Sequence, residues 1–441
     1  MKLFKIILSV LMVALLAFSW VNVFKKIIQN DMDYKNTVEL AEKSYENGLY
    51  DQAVEYYKKS LNYFDDKSVY YRIKEIYDSH YGEEPTEEVR SKYIKDMEEA
   101  ANKFPKESDF WVYVANLYVE SGNYKNAYKC LKKGKNYGAR SDELLALLDS
   151  LKYMTKVEER IYYDFSTALN GYISLYNGNS WSIISEKNSS NNKKNTYTFI
   201  GPINDDGIGV YVTDKETQII DMKNVVRARY KIQVNDAGCF DSESKLTPVK
   251  INEKWQYINI SGGVDNNKYD FAGSFCKNRA AVCEGGKWYI IDKDFNKVTD
   301  KAFDDIKLDL YSNCVQGELI IAKENGKYHL YDLDFKVKGD FECDEIDICI
   351  KKNPIAFKKG EKWGFVNPDG SIAIEPTYAD AKSFSEKFAA VANDSGKWGY
   401  INSDNKLVVE YEYSDAFYFD KNQRSMISIT KDSYQILTFL L

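Results

Sequence analysis

Apolar positions along the chain fall into three regimes, and each predicts a different kind of element. In residues 6–24, IILSVLMVALLAFSWVNVF, nineteen positions pass without a charge. At 1.5 Å per residue a helix of that length covers about 28 Å, the thickness of a bilayer core. Lys2 and Lys5 precede the run, Lys25 and Lys26 follow it, and Trp20 sits near one end, where an interfacial ring belongs. The segment is expected to be a transmembrane anchor, with residues 1–30 as anchor and flanks. The alternatives are a cleaved signal peptide, with Ala17 and Ser19 as the small residues before the cut, and a buried helix. No Cys follows the run closely, so lipoprotein processing is not supported. Lys2, Lys5 and the amino terminus slightly outweigh Lys25 and Lys26. That balance places the rest of a single-pass cell-membrane protein outside the cytoplasm.

Over residues 31–157 the apolar period becomes helical. Laying residues 41–61 beside 115–134 aligns Gly48 with Gly122, Tyr50 with Tyr124 and Ala53 with Ala127, each 74 residues apart, or two units of 37. Alanine is small where helices cross closely, and glycine ends a helix in the left-handed conformation. Between the two copies, residues 69–81 carry Tyr70, Ile73, Ile76 and Tyr77 at helical spacing. Residues 82–88, GEEPTEE, then insert before residues 89–104, where the repeat Gly and Ala are missing. Residues 142–155, opened by Ser141 as N-cap, read as a capping helix. The pattern resembles the tetratricopeptide repeat, whose unit is about 34 residues. The resemblance implies an α-helical solenoid that grips an extended peptide or spaces the following domain.

Over residues 158–441 the apolar period shortens to two. Gly396-Lys397-Trp398-Gly399-Tyr400-Ile401-Asn402 repeats Glu361-Lys362-Trp363-Gly364-Phe365-Val366-Asn367. Related points occur at Trp181, Thr217, Trp255, Trp288, Tyr328 and Tyr434. These eight anchors run from 181 to 434 in seven steps, a mean of about 36 residues. Each unit reads as an apolar strand, a Gly turn, an aromatic strand, an Asp/Asn turn and another strand; Lys359-Gly360 and Pro368-Asp369-Gly370 are strong hairpin signals. Units of this size suit a β-propeller of seven or eight blades, with an open stack of hairpins as the alternative. The last unit ends after two strands, so residues 160–176 are expected to complete it. A Trp recurring at one strand position reads first as core between blades and only second as a ligand platform.

The Lys-Trp-Gly core, the Asp-Gly turn after it, Pro376, Tyr378 and Ser383-Phe384-Ser385-Glu386 resemble WG (KWG) repeats of bacterial proteins. That resemblance is closest over residues 355–420. It implies β-rich repeat structure and binding, and no established chemistry.

Composition narrows the function. Net charge is −7 with Lys and Arg interspersed among Asp and Glu, which argues against nucleic acid as a partner. The two histidines, His80 and His329, are far apart, which disfavours a His-based centre. The seven cysteines, Cys130, Cys239, Cys276, Cys283, Cys314, Cys343 and Cys349, form no CxxC pair and read as small buried apolar residues. Asp292-Lys293-Asp294-Phe295-Asn296 opens like a calcium loop, but Lys297 and Phe303 stand where Gly and Glu are needed. No nucleophile elbow, zinc-protease motif or phosphate loop is present. Asp205-Asp206 and Asp304-Asp305 sit in expected turns, and Gly262-Gly263 and Gly285-Gly286 are turn glycines.

The expectation is an α + β multidomain chain: an N-terminal transmembrane helix, a TPR-like solenoid over residues 31–157, and an all-β WG-repeat domain over residues 158–441. Its expected function is non-catalytic binding of a protein or peptide partner, or of a cell-wall glycan, with no cofactor and no metal. The alternative is a glycan- or peptidoglycan-active propeller using Asp/Glu at the channel mouth, which needs two carboxylates about 5 to 9.5 Å apart. The residues expected to carry the repeats are Trp181, Trp255, Trp288, Trp363, Gly364, Trp398 and Gly399 in the β domain, with Gly48, Ala53, Gly122 and Ala127 in the helices.

Overall fold

The computed structural model describes residues 2–80, 86–167, 169–184, 191–192, 197–223, 225–430 and 432–440, without the side chains of 2–11, 13–15, 17, 167 and 191–192. The chain divides into two compact units, Met1–Met154 with Leu440–Leu441, and Thr155–Phe439.

Among the described residues the first unit holds seven helices: α1 (Lys2–Glu46), α2 (Tyr50–Ser60), α3 (Lys67–His80), α4 (Glu87–Lys103), α5 (Ser108–Glu120), α6 (Tyr124–Tyr137) and α7 (Asp142–Lys152). Each packs on the next in sequence. Ala41, Ala53, Ala115 and Ala127 have no exposed surface, which lets successive helices approach closely. Gly48 and Gly122 follow α1 and α5 with φ of +72° and +71°. The Leu49 N–H donates to Ser44 O at 2.9 Å and the Asn123 N–H to Tyr118 O at 2.8 Å, which satisfies the last carbonyls of each helix. Ser141 accepts from the Leu144 N–H at 3.1 Å and caps α7. Thr86 caps α4, while residues 82–85 of the expected insertion lie outside the described residues.

The expected membrane anchor is corrected. Among the described residues no helix is long and apolar enough to cross a membrane, and the single-pass membrane location inferred from residues 6–24 goes with it. That run is the start of one 45-residue helix that continues through Lys25, Lys26, Asp31 and Asp33. Further along, α1 packs Val38, Ala41 and Tyr45 into the helical core. Hydropathy in a window of about twenty residues registers the apolar start and misses this continuation.

The second unit is an eight-bladed β-propeller. Blades 1 to 8 occupy residues 164–192, 197–230, 236–269, 271–303, 305–343, 345–378, 380–413 and 415–439, the last joined by 155–157. Within a blade the strands run antiparallel and are labelled a to d from the channel outwards. In blade 6 these are Glu345–Ile346, Ile355–Lys359, Lys362–Val366 and Ile372–Tyr378. Alternate residues face neighbouring blades. Ala356 and Phe365 of blade 6, for instance, pack on Ala381, Phe384 and Val391 of blade 7.

Closure differs from expectation. Thr155–Val157 pairs with Tyr434–Phe439 as strand d of blade 8, and Tyr162 bridges Tyr434, whereas residues 164–176 supply strands a and b of blade 1. The N-terminal strand thus latches the C-terminal blade, and Tyr162, Ile173 and Leu175 seal the seam against Met426 and Ile436.

Candidate functional site

Topology sorts the connections onto two ends of the propeller. Loops between strands a and b share one end with the c–d turns, and the b–c turns lie at the other. Five a–b loops are built on one side-chain device. Asn170 accepts from the Tyr172 N–H (3.1 Å), Asn204 from Ile208 (2.8 Å), Asp241 from Ser244 (2.6 Å), Asp309 from Tyr311 (2.9 Å) and Asn313 (2.8 Å), and Asp420 from Asn422 (2.8 Å) and Arg424 (3.0 Å). An Asx side chain holds each loop in a tight turn without regular strand pairing.

These loops surround a cavity of about 470 Å³ lined by Asn170, Tyr172, Asp205, Asp309, Tyr311, Gln316, Lys351 and Lys421, among others. A second cavity of about 220 Å³ shares Asp205 and Tyr311 and adds Asn204, Asp206, Cys239, Asp241 and Cys276. Two tyrosines join blades that are not neighbours. The Tyr311 hydroxyl of blade 5 accepts from the Asn170 N–H of blade 1 at 3.1 Å. The Tyr418 hydroxyl of blade 8 donates to both carboxylate oxygens of Asp347 of blade 6, at 2.7 and 2.8 Å. The mouth is polarised: Asp205, Asp206 and Asp241 lie on the side of blades 2 and 3, and Lys351 and Lys421 on that of blades 6 and 8.

The charges at the mouth are mostly committed. Asp206 accepts from Ser242, Lys351 pairs with Glu386, and Asp420 holds Arg424 at 2.7 Å in a buried pair. Burial pushes the Asp309 carboxyl up to about 6, against the opposing pull of the Asn313 and Tyr311 N–H groups. Asp205 is exposed, with no partner among the described residues. Among the described residues no group of His, Cys, Asp or Glu is placed to hold a metal ion. Asp292, which opens the calcium-like segment, accepts from the Asp294 and Asn296 N–H groups and is a turn residue.

The predicted repeat residues lie elsewhere. Strand c begins at the b–c turn, so Trp181, Trp255, Trp288, Trp363 and Trp398 stand at the end away from the mouth. Trp181, Trp255 and Trp398 are buried, and Trp288 and Trp363 are half-buried. The glycine after Trp has a steric cause. A Cβ on Gly364 would meet Ile374 O at 2.5 Å, and one on Gly399 would meet Val409 O at 2.4 Å. At both places strand d bulges onto strand c, and blades 6 and 7 have continuous seven-residue outer strands. Gln256, Tyr289 and His329 stand at this position in blades 3, 4 and 5, where strand d is reduced to isolated bridges.

The Lys before the aromatic anchor has a role that the sequence reading missed. Lys254 pairs with Asp270, Lys287 with Asp304 and Lys327 with Asp344, each Asp lying at the junction to the next blade. The second oxygen of each Asp accepts from a b–c turn glycine of that next blade: Gly285, Gly326 and Gly360. Where Ala379 replaces the junction Asp, Lys362 reaches Asp394 of the next b–c turn instead. The recurring Lys-to-Asp separation of 16 or 17 residues was the available signal.

The family model "WG containing repeat" matches residues 268–288, 363–397 and 398–432, so the chain carries WG repeats there. Each of the two longer matches starts at strand c of one blade and ends after strand b of the next. No curated protein matches the chain. Solved structures similar to it include the Neurospora crassa Pan2 WD40 domain (12% identity, 56% of this chain and 90% of that one, TM-score 0.34). Kluyveromyces lactis Hsv2p is similar at 9% identity (56% and 96%, TM-score 0.37), and the Sgt2 TPR domain from Aspergillus fumigatus at 19% identity (27% and 76%, TM-score 0.20).

Proposed function

We propose that this chain is a non-catalytic binding protein whose propeller presents the a–b loop mouth to a protein or peptide partner, with tetratricopeptide-like helices as spacer or second grip. The observation that carries the reading is the use of the mouth's carboxylates. The hydrolase alternative needs two free carboxylates flanking one cavity. Of the two that line the larger cavity, Asp309 is tied to three N–H donors of its own loop. Asp205 is left as a single free acid opposite Lys351 and Lys421, an arrangement suited to recognising a polar, dipolar segment.

The test is a peptide array and a panel of cell-wall glycan fragments screened against the full chain and against Asp205→Lys, which disturbs no hydrogen bond. A ligand that binds the parent chain and is lost on charge reversal supports the reading. Glycan turnover by the purified chain would replace it with the hydrolase.

A further inference from the structure

Helix α6 is charged unlike any other part of the helical unit. Its fourteen residues, YKNAYKCLKKGKNY, hold five lysines and no acid, in a chain whose net charge is −7. Several lysines elsewhere in the unit find carboxylates: Lys58 pairs with Asp96, Lys67 with Glu107, Lys92 with Glu88 and Lys103 with Asp65. None of Lys125, Lys129, Lys132, Lys133 and Lys135 has a carboxylate within 4.0 Å among the described residues. Lys125, Lys129, Lys132 and Lys133 fall within about 100° of one helix face, a stripe about 12 Å long.

Favourable interaction with the helix dipole explains basic residues only in the last turn, here Lys135. It does not explain Lys125 and Lys129, which lie in the first two turns. Beside the stripe is a cavity of about 250 Å³ between α4, α5 and α6, into which Lys129, Lys133, Asn126, Asn102, Tyr118 and Glu98 face. Lys133 donates to Asn102 Oδ1 at 2.7 Å, and the Asn102 amide in turn donates to Glu98 O at 2.6 Å, which fixes the Asn102 side chain with its oxygen towards Lys133. Glu98 lines the same cavity, and its carboxylate accepts from the Tyr118 hydroxyl at 2.9 Å. Gly134 makes the close packing of α6 possible, since a Cβ there would meet the Trp111 ring at 2.5 Å.

We infer that the α4–α6 face is a docking site for an acidic protein segment, one carboxylate of which enters the cavity between Lys129 and Lys133. Lysines four apart on a helix are about 6 Å apart, which matches carboxylates at i and i+4 of a helix or at i and i+2 of an extended chain. The stripe carries lysines and no arginine fork, and the rest of the chain is net acidic; both favour a short acidic peptide over a nucleic acid.

The experiment titrates the full chain into a fluorescein-labelled Glu-rich dodecapeptide, followed by anisotropy at low and physiological salt. A Gln-rich peptide and an oligothymidine of equal charge serve as the other probes. The acidic peptide is expected to bind, to weaken with salt, and to lose about tenfold or more in affinity with Lys129→Glu/Lys133→Glu. Lys223→Glu/Lys231→Glu on the propeller, with the same change in net charge, is expected to leave binding unaltered, and circular dichroism to be the same for all three chains. No binding of the acidic peptide, equal loss in both double variants, or tighter binding of oligothymidine than of peptide overturns the inference.

Discussion

The Tyr311 hydroxyl accepts a 3.1 Å hydrogen bond from the Asn170 backbone N–H and so joins blade 5 to blade 1, which stand opposite each other in an eight-blade ring. A contact across the channel at its mouth does two things. It satisfies a loop donor that has no strand partner, and it fixes the width of the opening. Tyr311→Phe keeps the ring and removes the acceptor. The expected cost is about 1 kcal/mol of propeller stability, measured by urea unfolding, with faster amide exchange at Asn170. An unchanged exchange rate at Asn170 would show that the bond does not hold the loop.

The seam of the ring makes a stronger prediction. Arg424 holds the Asp420 carboxylate at 2.7 and 3.0 Å and donates to Gly171 O of blade 1 at 2.9 Å, with both charged side chains almost fully buried. Arg424→Met leaves Asp420 charged and unpaired inside the protein, which costs about 3–5 kcal/mol. Asp420→Asn keeps its two loop hydrogen bonds and is expected to cost less. Chemical denaturation of the two variants gives the order directly; no loss of stability in Arg424→Met would mean that the pair adds nothing to the seam.

Glycine after tryptophan is predicted to matter for backbone approach. Gly399→Ala places a methyl 2.4 Å from Val409 O, so strand d (Leu407–Tyr413) must move outwards. Overpacking of this kind costs about 1–3 kcal/mol. Gly360→Ala, at a b–c turn with φ of +65° and no atom within 4 Å, carries only the backbone penalty of about 1 kcal/mol. Hydrogen exchange should show strand d of blade 7 loosened by Gly399→Ala alone.

The eight anchors, seven aromatic residues and Thr217, were legible because strand c recurs every 36 residues or so, and they correspond to the eight blades. The phase of the repeat was not legible. The unit read from the sequence begins at strand b, whereas a blade begins at strand a, and a two-residue strand such as Asp380–Ala381 has no periodicity to read. Closure was misplaced for the same reason: Thr155–Val157 is three residues of ordinary composition, and only its pairing with Leu437–Phe439 marks it. The mouth was hidden because its residues lie in the a–b loops, where the units are least alike. Asn170, Asn204, Asp241, Asp309 and Asp420 share a hydrogen-bonding role without sharing a surrounding motif. At the N-terminus, local hydropathy over residues 6–24 suggested a membrane anchor, whereas the run opens the 45-residue α1, and no helix among the described residues is long and apolar enough to cross a membrane.

Acid and neutral pH should act on different aspartates. Lys254, Lys287 and Lys327 hold Asp270, Asp304 and Asp344 below the usual carboxylate value, helped by the glycine N–H groups. Their stabilisation is present above the unfolded value of about 4 and is lost as pH falls through the lower folded values. Asp309 runs the other way. Its folded value of about 6 lies above the unfolded one, so stability falls as pH rises from about 4 to about 6. Asp309→Asn, the residue type already used at Asn170 and Asn204, should remove that upper decline. Asp270→Asn/Asp304→Asn/Asp344→Asn should flatten the acid limb only. Thermal melts across pH would refute the assignment if the two variants changed the same limb.

The seven cysteines give a probe of the fold without any substitution. All are free thiols, and burial raises every one: Cys276 to about 11, Cys130, Cys314, Cys343 and Cys349 to about 12, with Cys239 and Cys283 also above their ordinary value. A thiol reagent attacks the thiolate, so both access and ionisation slow the reaction. Cys276 and Cys283 are half-buried, and the other five are buried in the helical core, between blades or in the a–b loops. At pH 8 the native protein should therefore label at Cys283 and Cys276 first, with Cys283 ahead because its surroundings desolvate it least. The remaining five should react at rates that follow unfolding, Cys130 reporting the helical unit and Cys314, Cys343 and Cys349 the propeller. If the two groups respond to denaturant at separate midpoints, the units unfold separately; rapid native labelling at Cys314 would contradict the inter-blade packing itself.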